Sequence, residues 1–279
     1  RSPKGLEFAS KNEDGSPGYR IKFTVEKVKE ATPNPTTILI YNLGPEGRSG
    51  LGRNYLLELE VGYGKNTGII FKGNISYVKT KKEGPDFVTQ IDAADGIFAT
   101  QNSKVDISFK ETVKATQAIT TLGGLLAPQG VMIGKIDTGS SKDFQKGLVL
   151  SGNTMVRLKE ICDKNDLECT IQNQELVVIP KGTAKLSPIL LISSGAFGLP
   201  NTGLIGIPEI RQTGSEKEPS VISFKTLMNF NLEIFQKILL NSRFIPTGTY
   251  TILKITHNGD TWSGDWTTDC EASGQGIVI

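Results

Sequence analysis

Apolar and polar residues alternate with a period of two along much of this chain, and turn-forming residues cut the alternation repeatedly. In Tyr19 to Val28, Ile21, Phe23 and Val25 share one face while Lys22, Thr24 and Glu26 share the other; this is the pattern of a half-buried strand. The knot Pro33-Asn34-Pro35 forces a turn before the β-rich run Thr37 to Leu43, which Gly44-Pro45-Glu46-Gly47 breaks. Tyr55 to Tyr63 alternates again, with Tyr55, Leu57, Leu59 and Val61 opposite Leu56, Glu58 and Glu60. Gly68 to Val78 and Asp86 to Ala93 read as two further strands joined by a charged, solvated tip, Lys79 to Gly84. Short strands separated by turn signals point to a sandwich or barrel.

The period changes in the middle of the chain. Thr116 to Leu126 carries apolar residues at helical spacing and stops before Pro128. Gly152 to Asn165 is a second helix, with Thr154 as its expected N-cap and Met155, Leu158, Ile161 and Cys162 on one face. That face is expected to pack on a hairpin, Glu168 to Gln172 and Glu175 to Ile179, turning at Asn173-Gln174. Cys162 is then a buried thiol.

Residues 184–279 return to strand patterns: Ile189 to Ser193, Gly203 to Arg211, Ser220 to Leu227 and Phe235 to Leu240. Asn-Gly is the favoured pair for a type I′ turn. Tyr250 to His257 and Trp262 to Cys270 are therefore expected to flank a structural turn at His257-Asn258-Gly259-Asp260. The glycine-bearing tail, Ser273 to Ile279, is expected to be loose. The reading is a mainly β, α+β chain in three parts: a β-barrel over 1–110, a small α/β module over 111–183, and a second, similar barrel with a C-terminal tail over 184–279.

Chemical patterns exclude more than they support. With 31 Lys and Arg against 29 Asp and Glu, the formal charge is +2, too balanced for a nucleic-acid coat. No apolar run approaches the roughly 20 residues of a membrane span, and no secretory leader is read at Arg1. His257 is the one histidine, so sites built on two imidazoles are ruled out. The three cysteines include no CxxC pair and read as free thiols of a reducing compartment. The glycines of Gly47 to Gly52 lack the GxGxxG spacing, and Gly64-Lys65-Asn66 lacks the rest of a P-loop. His257 with Asp260 or Asp265, and the carboxylates Asp92 and Asp95, are the candidate catalytic groups. A turn and a solvated loop account better for them. Asn74-Ile75-Ser76 matches a glycosylation sequon that matters only in a eukaryotic secretory path. Lys79, Lys81, Lys82 and Glu83 are candidate partner contacts. No metal, cofactor or catalytic residue is expected.

Several segments, taken in order, resemble the baseplate hub proteins of contractile-tailed bacteriophages. They are Ile38-Leu39-Ile40-Tyr41-Asn42-Leu43-Gly44, Leu57 to Tyr63, Ile70 to Ile75, Gly84-Pro85-Asp86, Thr89-Gln90-Ile91 and Asp95-Gly96. Gly203 to Glu209, Leu239-Leu240-Asn241, Gly248, and Ile255 to Asp260 before Trp262 and Trp266 follow near the C-terminus. The resemblance implies two tail-tube-like barrels per chain and a homotrimeric ring. It implies as partners the tail tube protein, the central spike protein and other baseplate proteins, with DNA only as cargo through the lumen. It places the chain in the virion tail baseplate, assembled in the bacterial host cytoplasm, as a structural protein without cofactor. The hub of a bacterial contractile injection or secretion system would carry the same pattern. A tail-associated peptidoglycan hydrolase is a weaker alternative.

Overall fold

The computed structural model describes residues 5–12, 14–211, 221–245 and 247–276. In the first segment β1 (Ile21–Val28) pairs antiparallel with β2 (Pro35–Tyr41). A short helix α1 (Pro45–Ser49) occupies the break, opening on Pro45 where a missing N–H is harmless. β3 (Leu56–Tyr63), β4 (Asn66–Glu83) and β5 (Asp86–Ala94) form an antiparallel meander, and β5 pairs back onto β2. The middle segment holds α2 (Ile97–Asn102), β6 (Lys104–Phe109), α3 (Ala115–Gly124), β7 (Met132–Ile136), β8 (Leu148–Asn153), α4 (Thr154–Lys164), β9 (Leu167–Gln172) and β10 (Glu175–Pro180). The last contains β11 (Leu190–Ser193), β12 (Leu204–Arg211), β13 (Val221–Leu227), β14 (Lys237–Asn241), β15 (Gly248–Asp260) and β16 (Trp266–Gly276).

The fold is mainly β with a smaller helical part, as expected, but among the described residues the strands form no closed barrel. Among the described residues, one 11-stranded sheet runs β12-β13-β16-β15-β1-β2-β5-β4-β3, with β14 and β11 attached through β15. The reason is the β1–β15 ladder, which runs from Lys22 opposite Asp260 to Val28 opposite Lys254. It fuses the first and last segments into one sheet. Smaller sheets, β7-β10-β9 and β6-β8, belong to the middle segment.

The apolar residues gather in three clusters. Phe23, Val25, Ile40, Phe71 and Ile91 lead the first, Leu122, Leu158, Ile161 and Leu176 the second, and Ile192, Phe235, Ile238 and Ile252 the third. The middle cluster begins at Ala99. On α4 the Met155, Leu158, Ile161 and Cys162 face is buried, and the three cysteines are free and buried. Leu158 is fully buried. Leu158→Ala is therefore expected to lower the unfolding free energy by about 2–5 kcal/mol, read by urea titration; a loss below about 1 kcal/mol would contradict this packing.

Several local expectations need correction. Asn153, not Thr154, caps α4: its Oδ1 accepts from the Val156 N–H at 3.1 Å. Thr154 is the first helical residue and fully buried. Lys79 to Glu83 is not a loop, because β4 runs on to Glu83, opposite Asp86, before turning at Gly84 with φ +60°. Ser273 to Gly276 is not loose, since β16 pairs with β15 to its end, Gly276 opposite Gly248; residues 277–279 lie outside the described ones, as does Ser220 at the expected start of β13.

The largest correction concerns His257-Asn258-Gly259-Asp260. These residues are not a turn. β15 continues through them, with Asn258 between Thr24 and Thr267 and Gly259 between Phe23 and Trp266. The turn follows at Thr261–Asp265, closed by the Asp260 N–H donating to the Asp265 carbonyl at 3.0 Å. Pairing on both edges of β15 outweighs the local preference of Asn-Gly. The hairpin at Asn173-Gln174 is present, with both residues in the left-handed region at φ 52° and 65°.

Candidate functional site: open sheet edges and a buried polar centre

Two kinds of place could carry function: the open edges of the long sheet and the polar groups buried beneath it. The sheet ends in β3 on one side and β12 on the other. Beyond Ile75, whose backbone bonds Tyr55 and Asn54, the outer side of β4 has no strand partner among the described residues. That free edge carries Lys79, Lys81, Lys82 and Glu83, all exposed, with Lys81 and Glu83 ion-paired. Its inner side is braced by β5, and β5 in turn by Asn42, which bonds both Asp86 and Phe87. Lysines are a common way to blunt such an edge. β12 breaks register between Ile205 and Glu209 and exposes Ile207 at 58%. Beside it lies an open cleft of about 450 Å³, lined by Ile205, Ile207, Phe224, Lys225, Asp269 and Glu271 among others. Pro208, within the stretch where the register shifts, fits an edge position.

The structure does not assemble a catalytic constellation around His257. Its ring is 1% exposed and its Nδ1 lies 2.9 Å from the Thr268 hydroxyl, while Nε2 has no hydrogen-bond partner. Burial, with the Lys27 charge, pulls its pKa down to about 3. Strand alternation sends Asp260 to the opposite face, where Arg20 clamps it at 2.6 and 3.1 Å. That clamp holds the Asp260 carboxyl below its usual range. Arg20 also stacks over Tyr41 at 4.6 Å. Asp92 accepts from Thr37 and Gln90 near the surface of the sheet. No group of three or more His, Cys, Asp or Glu that could hold a metal ion occurs among the described residues.

Asp95 is not in a solvated loop but fully buried. Its carboxylate accepts from the Asn34 backbone N–H at 2.9 Å, the Asn34 side-chain amide at 2.9 and 3.1 Å, and the Asn173 backbone N–H at 3.0 Å. Burial pushes its pKa up to about 6 against those donors and the Lys27 charge. Lys27 is itself buried, which pulls its pKa down to about 8. Sequence reasoning passed over Lys27 and Asn34. The signal for Lys27 was present: the alternation that places Phe23 and Val25 inward places Lys27 inward too. Asn34 is hidden in a Pro-Asn-Pro segment that reads as a turn and nothing more.

No protein-family model and no curated protein matches the chain. Solved structures do. The tail protein from Neisseria meningitidis MC58 aligns at a TM-score of 0.65 with 9% identity, covering 93% of this chain and 94% of that one. The 43 kDa tail protein of prophage MuSo2 from Shewanella oneidensis aligns at 0.65 with 8% identity, over 91% and 92%. The chain shares the fold of these tail proteins. The E. coli c3393 protein shares it at a TM-score of 0.64 with 10% identity, over 96% of this chain and 75% of that one. That protein is a component of the type VI secretion system, with structural similarity to the T4 bacteriophage tail proteins gp27 and gp5. In this fold the open β3 and β12 edges are the two ends of the long sheet. No helix among the described residues is long and apolar enough to cross a membrane.

Proposed function

We propose that the chain is a structural subunit of a phage baseplate hub, forming a homotrimeric ring that joins a sixfold tail tube to a threefold central spike. The observation that carries this reading is the fold, shared with tail proteins over more than nine-tenths of both chains. Residues 1–95 and 184–279 each supply one tube-like half, so three copies present six. The module between them begins at Gly96 rather than at residue 111, since Ala99 and Val105 belong to the middle cluster and β6 pairs with β8. Unlike edges at the two ends of one sheet favour head-to-tail contacts, which close into rings when the rotation allows. Closure covers strand edges that would otherwise template aggregation. Lys79, Lys81, Lys82 and Glu83, on the free edge of β4, contact the tube, the spike or other baseplate proteins. DNA passes through the lumen as cargo only. The subunit assembles in the host cytoplasm, resides in the virion tail, and has no enzymatic activity. Within it His257, Asn258, Gly259 and Asp260 are structural residues. The similarity to the E. coli type VI secretion component favours, as a second reading, a hub of a bacterial contractile injection or secretion machine.

Mass in solution tests the proposal. Light scattering on the purified chain is expected to give a trimer, each interface burying more than the ~1,000 Å² of a stable biological contact. The trimer is expected to leave murein intact. A monomer that cleaves murein would replace the hub with a tail-associated hydrolase.

A further inference from the structure

Two of the three free cysteines meet inside the middle segment. Strand alternation puts Leu167, Cys169 and Ile171 on one face of β9. α4 packs its Leu158, Ile161 and Cys162 face there, and all six residues belong to one apolar cluster. The Cys162 thiol donates a hydrogen bond to the Cys169 sulfur. The turn between the two is short and well held. The Asn165 N–H bonds the Cys162 carbonyl at 3.0 Å, and the Asn165 side-chain amide bonds the Ile161 carbonyl at 2.9 Å. Asp166 then takes φ +52°, and β9 starts at Leu167. The end of the helix is thereby fixed with its thiol against the thiol of the strand.

This pair is not sealed from solvent. Cys162 is 1% exposed and Cys169 5%, but Cys169 borders an open cleft of about 420 Å³. Lys29, Lys159 and Lys181 line that cleft together with Asp163, Asp166 and Glu168. Cations beside a thiol favour its thiolate. The hydrogen bond to Cys169, and then burial, push the Cys162 thiol up. Cys162 is therefore the member that keeps its proton, and Cys169, which the cleft reaches, is the attacking sulfur. Cys270 supplies a contrast. It borders the cleft beside β12, but it is the one cysteine of the third cluster, and burial pushes its thiol up as well.

We propose that Cys162 and Cys169 form a dithiol oxidation site that takes hydrogen peroxide through the cleft and closes to a disulfide within one chain. The Cys169 thiolate attacks one peroxide oxygen. The O–O bond breaks, hydroxide leaves and takes up a proton as water, and Cys169 becomes a sulfenic acid. The Cys162 sulfur then attacks Cys169 and gives up its proton. The S–S bond forms, the S–O bond breaks, and a second water leaves. Two thiols are oxidised by two electrons and one peroxide is reduced. The bond staples α4 to a hairpin that already grips both halves of the sheet: Thr170 and Gln172 donate to the Val28 carbonyl, while Val177 and Ile179 lie in the third cluster. The chemistry is internal to one chain, so it stands apart from the hub reading.

The native full chain tests this. It is treated with hydrogen peroxide, unfolded in urea with a maleimide, and weighed before and after digestion with trypsin. The chain is expected to lose the mass of two hydrogens and to take up maleimide at Cys270 alone. Trypsin cuts after Lys164, so residues 160–164 should appear joined to 165–181, and a thiol reductant should separate them. Cys162→Ser should stop Cys169 at the sulfenic acid, which dimedone traps. Cys169→Ser should leave Cys162 unmodified. If either variant fails to fold, the native digest decides alone. Three thiols that survive peroxide in the folded chain would overturn the site. So would loss of Cys270 as fast as the pair, or a bridge between two chains.

Discussion

Gly259→Val is expected to cost on the order of 3 kcal/mol and lower Tm by roughly 10 °C. The cause is space, not backbone conformation. Gly259 lies in the strand, and a Cβ there would run into Phe23 Cζ and sit 2.8 Å from Trp266 Cζ3. Those rings form an edge-to-face pair, centroids 5.5 Å apart at 75°, over the one position without a side chain. Relief is therefore predictable. Phe23→Ala combined with Gly259→Val should be less damaging than the sum of the two changes, measured as a double-mutant cycle. Additive losses would mean that the rings and the glycine do not share this space. Asn258→Gly separates the two descriptions of the segment. At a type I′ turn glycine would be harmless. In the strand it loses the bonds to Thr24 and Asp269 and should cost about 1 kcal/mol.

Acid exposes two buried groups that pull in opposite directions. His257 is held neutral in the fold, with its pKa depressed from 6.5 to about 3. The unfolded chain takes up that proton below pH 6.5, so stability falls as pH drops through this window. Between pH 7.5 and 5 the loss is about 2 kcal/mol. Asp95 does the reverse. Its pKa rises from 3.8 to about 6, so the folded chain binds a proton that the unfolded chain has released. Stability then rises as pH drops from 6 towards 3.8, by about 1.4 kcal/mol at pH 5. In the native chain the second offsets about two-thirds of the first, leaving a net loss of about 0.6 kcal/mol at pH 5. Urea unfolding at pH 7.5 and 5.0 should show His257→Asn gaining acid tolerance relative to the native chain. Asp95→Asn should become more acid-sensitive. Parallel pH profiles for all three would sink both assignments.

Local chemistry was a reliable guide wherever one element decides its own conformation. The Met155, Leu158, Ile161 and Cys162 stripe became the buried face of α4. Asn173-Gln174 turned as expected, because β9 and β10 pair mainly with each other there and nothing overrides the turn. Asn258-Gly259 carried a stronger turn signal and still became strand. The difference lies in β1, more than 200 residues away in sequence, which offers a ladder that no local window contains. Lys79 to Glu83 failed for a related reason: charge reads as loop, yet β5 supplies partners that keep those lysines in register. Asp95 was misplaced because a carboxylate after a strand is usually wet. Its burial depends on donors from Asn34 and from Asn173, 78 residues on.

The ladder between β1 and β15 also sets an order of events during synthesis. Arg20 and Asp260, which meet at its end, are separated by 240 positions. While the ribosome works through the intervening chain, β1 can pair with β2 but has nothing on its other side. Closing a loop of that length adds only logarithmically to the entropy, but the strand that fills the gap is made more than 200 residues later. Until then an unpaired strand edge faces solvent, the kind of surface through which nascent β chains associate wrongly. Translation speed and chaperone cover between β1 and β15 therefore bear directly on how much of this protein reaches its native form.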